Sequence, residues 1–381
     1  MSLNKGTKTK VLILSLTYFP YIGGAEVAIK EICERLGQNF EFDLITAKLN
    51  KNLKDKERLG EVNVFRVGGG SSLLDKYFFP LRAFKKAKEL HTQNDYQIVW
   101  GMMASWGGWA ALKFKEKYLK VKYLLTLQSG DSDAFIKART WWWQWRYRKI
   151  YSKADRIQVI SEWLEKRARN YGFKGRVDLV PNGTNLTRKQ ENKKTRKQEN
   201  EKVILTVSRL VKKNGVEDLI KASKLLNCQI AKLLIVGDGP LREKLEKIAE
   251  DLGVKDKVIF AGEVKFDELG NYYELADVFC RPSLSEGFGN VFVEAMAHEL
   301  PVVATPVGGI VDFLKDRETG FECEVQNPAS IAEKLNYILD ENNKIEVEKI
   351  ISQAKKMVEE KYTWDKIASQ MNEIFNELIN K

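Results

Sequence analysis

Two carboxylates eight residues apart, Glu286 and Glu294, bracket the stretch Gly287-Phe288-Gly289-Asn290. Glycines let backbone amides come close to a bound group. Asn290 has the side chain of a helix N-cap, and the apolar run Val291 to Ala297 reads as the helix behind it. A helix start attracts anions, and carboxylates accept hydrogen bonds from hydroxyls. The pattern suits a ligand with hydroxyls at both ends and phosphates between, the layout of a nucleotide sugar. An acidic charge pattern at a helix start is the plainer use of the same residues.

Elements able to position such a site recur along the chain. Val11 to Leu16 reads as a buried parallel strand. A Pro- and Gly-marked loop with Gly23 and Gly24 follows, then a helical pattern from Val27 to Leu36. A strand, a glycine pair and a helix start make a phosphate-approach site, although a tight turn explains the pair equally well. Further strand-like runs are Phe42 to Thr46, Val62 to Val67, Gln97 to Trp100, Tyr123 to Leu127, Arg156 to Ile160 and Val177 to Val180. The polar loop Gln128 to Asp133 follows one of them and offers Gln128 and Asp131 to a second substrate, or simply caps the next helix. The pattern restarts at Val203 to Val207 and continues through Lys232 to Val236, Val258 to Gly262, Ala276 to Cys280 and Pro301 to Thr305. Strands alternating with helices predict α/β architecture with parallel, doubly wound sheets, whose ligands lie beyond the carboxyl ends of the strands.

The 381 residues exceed one ordinary core, so two domains are expected. The hydrophobic share of 44% with 30% charged residues fits a soluble globular protein, and no apolar run approaches the roughly 20 residues of a bilayer span. A Lys-rich start without an apolar signal core points to the cytoplasm. Cys33, Cys228, Cys280 and Cys323 show no CxxC spacing, and His91 and His298 are the only histidines, so no metal site is expected. The formal charge of +11 favours an anionic partner: a nucleotide diphosphate, an anionic membrane or nucleic acid. No nucleic-acid module surrounds the aromatic stretch described next, which sets nucleic acid aside.

Arg139 to Tyr151 holds Trp141, Trp142, Trp143 and Trp145 among Arg and Lys. Wrapped on one helix, these rings spread over most of its circumference. A helix packed between layers and a membrane-interface helix both fit, the former being the commoner use. Arg188-Lys189-Gln190-Glu191-Asn192 recurs as Arg196-Lys197-Gln198-Glu199-Asn200, a charged stretch without core-forming residues that marks a linker.

The run Glu286-Gly287-Phe288-Gly289-Asn290 with Glu294, then Ala295-Met296-Ala297 and Leu300 to Thr305, closely resembles retaining glycosyltransferases of family 4. Pro20 to Glu26, Val180-Pro181-Asn182-Gly183, Ser208-Arg209-Leu210, Val236 to Pro240 and Ala276-Asp277-Val278 fall where that family has similar motifs. The resemblance spans the chain except the charged linker. It implies the GT-B fold, two Rossmann-like domains with an interdomain cleft. The expected parts are an acceptor-side domain over 1–184, a linker over 185–201, a nucleotide-sugar domain over 202–361 and a helix over 362–381 returning toward the first domain.

Roles follow for the matching residues. Glu286 would contact donor-sugar hydroxyls, the amides of Gly287, Phe288, Gly289 and Asn290 the diphosphate or sugar, and Glu294 the ribose. Gly23 and Gly24 would approach the diphosphate. Arg209 and Lys213 would stabilise the leaving nucleoside diphosphate, and Glu263 and Val264 would meet the base. The implied reaction is metal-independent, retaining transfer of a hexose from a nucleoside-diphosphate sugar, a co-substrate rather than a cofactor. The acceptor would be lipid-linked, glycan or other, with peripheral contact at the inner membrane face among the expectations.

Three positions depart from the family pattern. Asn214 stands in place of a lysine, with Lys212 and Lys213 beside it; Gln128 lies where a histidine is common; Glu299 replaces a glycine at the motif helix end. The first two keep open a nucleotide-sugar-binding GT-B protein without transferase activity, and a GT-B sugar-nucleotide epimerase is the other alternative.

Overall fold

The computed structural model describes residues 8–186, 201–227 and 231–380. Cys228 and residues 187–200, most of the expected linker, lie outside the described residues. The chain divides into two compact units, Met1–Asn182 with Trp364–Lys381, and Gly183–Thr363.

The first unit runs β1 (Thr9–Leu14), α1 (Gly24–Leu36), β2 (Phe40–Ala47), β3 (Lys56–Leu59), β4 (Val62–Val67), α2 (Ser72–Asn94), β5 (Ile98–Met102), α3 (Gly108–Lys117) and β6 (Lys122–Leu127). It continues with α4 (Asp133–Thr140), α5 (Gln144–Ser152), β7 (Arg156–Val159), α6 (Glu162–Asn170) and β8 (Val177–Leu179). Its sheet has the order β3-β4-β2-β1-β5-β6-β7-β8. All pairings are parallel except that of β3 with β4. Val11, Leu12, Ile13 and Leu14 are fully buried, as expected of a strand covered on both faces. Strand order reverses at β1 and β5, so the loops after those strands open at a switch point.

The second unit runs β9 (Lys202–Val207), α7 (Val216–Ser223), β10 (Ala231–Val236), α8 (Arg242–Asp251), β11 (Val258–Gly262), α9 (Leu269–Leu275) and β12 (Val278–Arg281). Then come α10 (Asn290–Ala297), β13 (Val302–Ala304), β14 (Phe321–Glu322), α11 (Pro328–Leu339) and α12 (Lys344–Lys361). Its all-parallel sheet has the order β11-β10-β9-β12-β13-β14 and switches between β9 and β12. The last helix, α13 (Trp364–Ile379), belongs to the first unit. Its Phe375 ring lies 5.2 Å from Phe40, 6.3 Å from Phe42 and 5.4 Å from Trp100. Arg35 pairs with its Asp365 at 2.6 Å, and Arg156 with its Glu377 at 2.7 Å.

Two expectations change. The stretch from Arg139 to Tyr151 is not one helix: α4 ends at Thr140, Trp141–Trp143 form a 3₁₀ turn, and α5 restarts at Gln144. The break lets Trp143 stack on Trp109 at 5.1 Å while Trp141 points to solvent, which one continuous helix would not reconcile with burial of Tyr147. Asn290 is not the N-cap of α10; Gly289 is, at φ 90°, and Asn290 is the first helical residue. A left-handed N-cap favours glycine, which frees Asn290 to begin the turn.

The start of α2 is fixed by a buried carboxylate. Asp75 accepts the amides of Gly69 at 3.0 Å, Gly70 at 2.8 Å and Ser71 at 2.6 Å, and pairs with Arg82. Burial pushes its pKa up, but these amides and the guanidinium outweigh it and hold the carboxyl below its ordinary value. Asp75→Ala is expected to lose about 3 kcal/mol at neutral pH, because it leaves buried donors without an acceptor. A depressed folded-state pKa gives stability that is present above the unfolded value and lost as pH falls through the folded one. The gap between wild type and variant should therefore close in acid, which urea unfolding across a pH series will read.

Candidate active site

The switch point of the second unit brings two loops together. The loop after β9 holds Arg209, then the 3₁₀ turn Lys212–Asn214 and left-handed Gly215. The loop after β12 holds Ser283 to Gly289. The Leu284 amide donates to the Lys213 carbonyl at 2.7 Å, joining the loops edge to edge. A Cβ on Gly215 would sit 1.8 Å from the Pro282 carbonyl, so only glycine permits the approach. From the next strand, Gly308, at φ 61°, has the same relation to the Glu286 carbonyl, and the Gly309 amide donates to that carbonyl at 3.1 Å. Thr305 Oγ1 donates to the Ser283 carbonyl at 2.5 Å. Backbone contacts from three strand ends therefore set the position of Glu286.

Its carboxylate is anchored as well. Oε2 pairs with Arg281, and Oε1 accepts the Gly287 amide at 2.9 Å. Arg281, the last residue of β12, is 6% exposed and lies over the Phe292 ring at 4.5 Å, while its Nε donates to Ser283 Oγ at 3.2 Å. A carboxylate offers about four acceptor positions, so Glu286 keeps acceptor capacity beyond these two bonds. Phe288 is buried against Phe313 at 5.1 Å and Tyr362 at 5.6 Å, leaving its amide rather than its ring to meet a ligand.

Glu294, within the second turn of α10, accepts a hydrogen bond from Tyr273 Oη at 2.8 Å. Desolvation raises its pKa, opposed by that hydroxyl and by the charge of Arg281. Tyr273 comes from α9 and is stacked on His298 at 4.8 Å. His298 Nδ1 donates to the Glu294 carbonyl at 2.8 Å, and burial keeps the imidazole pKa low, favouring the neutral ring. Behind it α10 ends in a Schellman arrangement: Glu299 N–H reaches Met296 O at 3.1 Å and Leu300 N–H reaches Ala295 O at 3.0 Å. Glu299 takes the left-handed place at φ 59° that a glycine would fill, and its carboxylate is tied to Lys355.

The remaining residues are distributed as follows. Arg209 is exposed and Lys213 half-buried. Asn214 is buried with its amide donating to the Arg209 carbonyl at 2.6 Å, so it braces the loop rather than replacing a cation. Glu263 and Val264 follow β11, two strands from β9. In the first unit, Gly23 is the N-cap of α1 and Gly24 its first residue. Gln128 exchanges two 3.2 Å amide bonds with Asn182, and Asp131 Oδ2 accepts from Ser129 Oγ at 3.0 Å. Gln128 and Asp131 line one cavity of about 360 Å³ at the ends of β1, β5 and β6. Arg281, Tyr273 and His298 escaped the sequence reading. Arg281 immediately precedes the motif and was legible as a buried charge at a strand end; Tyr273 and His298 had no signal.

Two parallel-sheet α/β units, each with its loops at a switch point, define a GT-B protein, as the solved structures bear out. Sucrose-phosphate synthase from Thermosynechococcus elongatus superposes with a TM-score of 0.86 at 22% identity, over 98% of this chain and all of that one. Anabaena HepE in complex with UDP-glucose gives 0.78 at 18% identity, over 97% and 99%. Glycosyltransferase Family 4 matches residues 22–188 and Glycosyl transferases group 1 residues 187–357. An uncharacterized glycosyltransferase of Methanocaldococcus jannaschii is 31% identical over 393 aligned residues, 96% of this chain and 97% of the relative. The GDP-mannose-dependent α-(1-6)-phosphatidylinositol monomannoside mannosyltransferase of Mycobacterium tuberculosis is 28% identical over 241 residues, 59% of this chain and 62% of that protein. The chain belongs to the group 1, family 4 glycosyltransferases.

Proposed function

We propose that this glycosyltransferase moves a hexose from a nucleoside diphosphate to a hydroxyl of a lipid-linked or glycan acceptor, with retention at the anomeric carbon and without a metal. The observation that carries the reading is the joining of the Arg209–Lys213 loop to the Glu286 loop at the switch point ahead of α10. Cleavage of the anomeric bond places negative charge on the diphosphate. Cations and amides already in position there stabilise it without reorganising. Arg209, Lys213 and the amides from Phe288 to Asn290 supply that field, while the Gly287 amide is engaged by Glu286 Oε1. At the helix start of Gly23 and Gly24 the Glu26 carboxylate already accepts the Gly23 amide, so a phosphate there would have to displace it.

Glu286 accepts hydroxyls of the sugar, Glu294 those of the ribose, and the backbone at Glu263 and Val264 meets the base. The acceptor oxygen forms its bond to the anomeric carbon as the bond to the diphosphate breaks, and its proton leaves on the diphosphate. Named relatives support a nucleotide-sugar donor and a lipid acceptor: the mycobacterial protein uses GDP-mannose on a phosphatidylinositol mannoside, and a pneumococcal relative is an α-monoglucosyldiacylglycerol synthase.

A thermal-shift screen with UDP, GDP and ADP tests the donor half, since a ligand of the native state raises its melting temperature. One of the three is expected to do so. Glu294→Ala should weaken it about 10- to 100-fold, the worth of one or two charge-assisted hydrogen bonds. Because burial raises the Glu294 pKa, affinity should fall on acidification at a higher pH than an ordinary glutamate would give. No shift with any diphosphate, or an unchanged affinity in the variant, sinks the reading. Product anomer by NMR and turnover in EDTA test retention and metal independence.

A further inference from the structure

Helix α2 turns its apolar stripe outward. Leu73, Leu74, Tyr77, Phe78 and Leu81 recur at helical spacing and are 47–67% exposed, while Asp75, Phe79 and Ala83 face inward. A surface helix normally does the reverse. Around the break between α4 and α5, Phe135, Trp141 and Trp145 are likewise exposed, Trp141 to 75%. The two faces are continuous through the cavity already described. Lys76 of α2 and Phe135 and Arg139 of α4 all line it, and its Trp106 lies 5.6 Å from the Tyr77 ring.

Charge narrows the occupant. Residues 72–89 carry five Lys or Arg against Asp75 and Glu89, the latter paired with Lys86 at 2.6 Å, and residues 133–152 carry five against Asp133 alone. Asp75 and Asp133 are paired with Arg82 and Arg167. Arg146 and Lys149 sit over Trp145 at 5.6 and 5.1 Å. Exposed Leu and Phe, ring side chains and a net excess of cations together match the boundary zone of an anionic bilayer. A second copy of the chain would set cation against cation.

We propose that α2 and the α4–α5 corner seat the first unit on an anionic bilayer, and that the cavity between them takes the sugar-accepting end of an amphiphile from that bilayer. The cavity changes character along its length to suit such a molecule. Phe135, Ile136, Trp106 and Trp143 line its apolar part, and Gln128 and Asp131 provide polar groups for a hydroxyl-bearing head. The acceptor half of the proposal rests on the transferase reading; the docking half does not.

Flotation of the full chain with vesicles of phosphatidylcholine, with and without phosphatidylglycerol, tests docking. Binding is expected only with the anionic lipid and should drop several-fold in high salt as charge is screened. Leu74→Ser/Phe78→Ser and Trp141→Ser/Trp145→Ser should each reduce it at least tenfold. These side chains are exposed, so the circular-dichroism melt should stay in place. Absence of wild-type flotation, or variants that float like wild type, overturns docking.

Brominated dodecyl maltoside tests the cavity. It should quench tryptophan fluorescence saturably in the Trp141→Ser/Trp145→Ser variant, and Trp106→Phe/Trp143→Phe added to that variant should abolish the saturable part. Quenching that never saturates, or survives the added changes, overturns the cavity assignment. Nucleoside-diphosphate thermal shifts on the same samples separate the failures: a retained shift without flotation rejects the docking alone, and a wild-type chain without a shift rejects the donor reading.

Discussion

Glu286→Gln is expected to slow sugar transfer roughly 100-fold or more while nucleoside-diphosphate affinity stays within about threefold. The substitution preserves the length of the side chain and removes its charge. Glu286 is held at both ends, its carbonyl by the Gly309 amide and its carboxylate by Arg281 and the Gly287 amide. On the proposed reading, its remaining acceptor positions take the donor sugar next to the diphosphate. A neutral amide has one oxygen to accept with, where the carboxylate has two. If that oxygen keeps the Arg281 contact, the sugar loses its acceptor; if it turns to the sugar, Arg281 is left buried opposite an NH₂ donor. On that reading either outcome displaces the anomeric carbon from the field of Arg209 and Lys213, and displacements of about 1 Å are costly in rate. Steady-state transfer beside a nucleotide thermal shift will check it. Turnover close to wild type in a folded variant would remove Glu286 from the reaction.

The second large effect belongs to Arg281. Arg281→Ala should destabilise the protein by about 3–5 kcal/mol, because it leaves the Glu286 carboxylate without its buried countercharge. It also strips the guanidinium from the Phe292 face. Arg281→Lys should recover part of the stability, since the charge returns, but less of the transfer rate, since a point charge does not reproduce the planar fork. A readout that general destabilisation does not move is the pH dependence of nucleotide affinity. Arg281 is one of the influences holding the Glu294 pKa down against desolvation. Without it the carboxyl should titrate at still higher pH, and loss of affinity on acidification should begin earlier.

The linkage sign is the opposite of that at Asp75. Where the folded state holds a proton that the unfolded chain has released, stability falls as pH rises through that interval. Glu294 is such a group, so its interval should widen in Arg281→Ala. Urea unfolding and nucleotide titrations across one pH series measure both. An unshifted affinity profile would confine Arg281 to a packing role.

The parallel strands were legible because burial on both faces writes them as continuous apolar runs, such as Val11 to Leu14 and Val203 to Val207. Two strands left no such trace. β3 reads Lys-Glu-Arg-Leu and pairs antiparallel at the sheet edge, and β14 is only Phe321–Glu322. The loop carrying Glu286 was visible from its glycines, but not the reason it holds still. That depends on the Gly308 approach and the Thr305 hydroxyl, which act across strands rather than along the chain, together with Arg281, which lies beside the motif in sequence. Tyr273 likewise enters from α9, twenty-one residues before the Glu294 it touches. The tryptophan stretch shows a converse error. Composition described its surface chemistry, while the 3₁₀ turn at Trp141–Trp143 depends on the fit of Trp143 against Trp109.

The place of α13 bears on how the polypeptide matures. Its Phe375 closes over Phe40, Phe42 and Trp100, all made before the whole second unit has been translated. A ribosome-bound chain therefore carries a first sheet without this cover until Trp364–Ile379 emerges. The second unit, Gly183–Thr363, is one uninterrupted segment and waits for no later residue. The unit begun first is thus the one completed last.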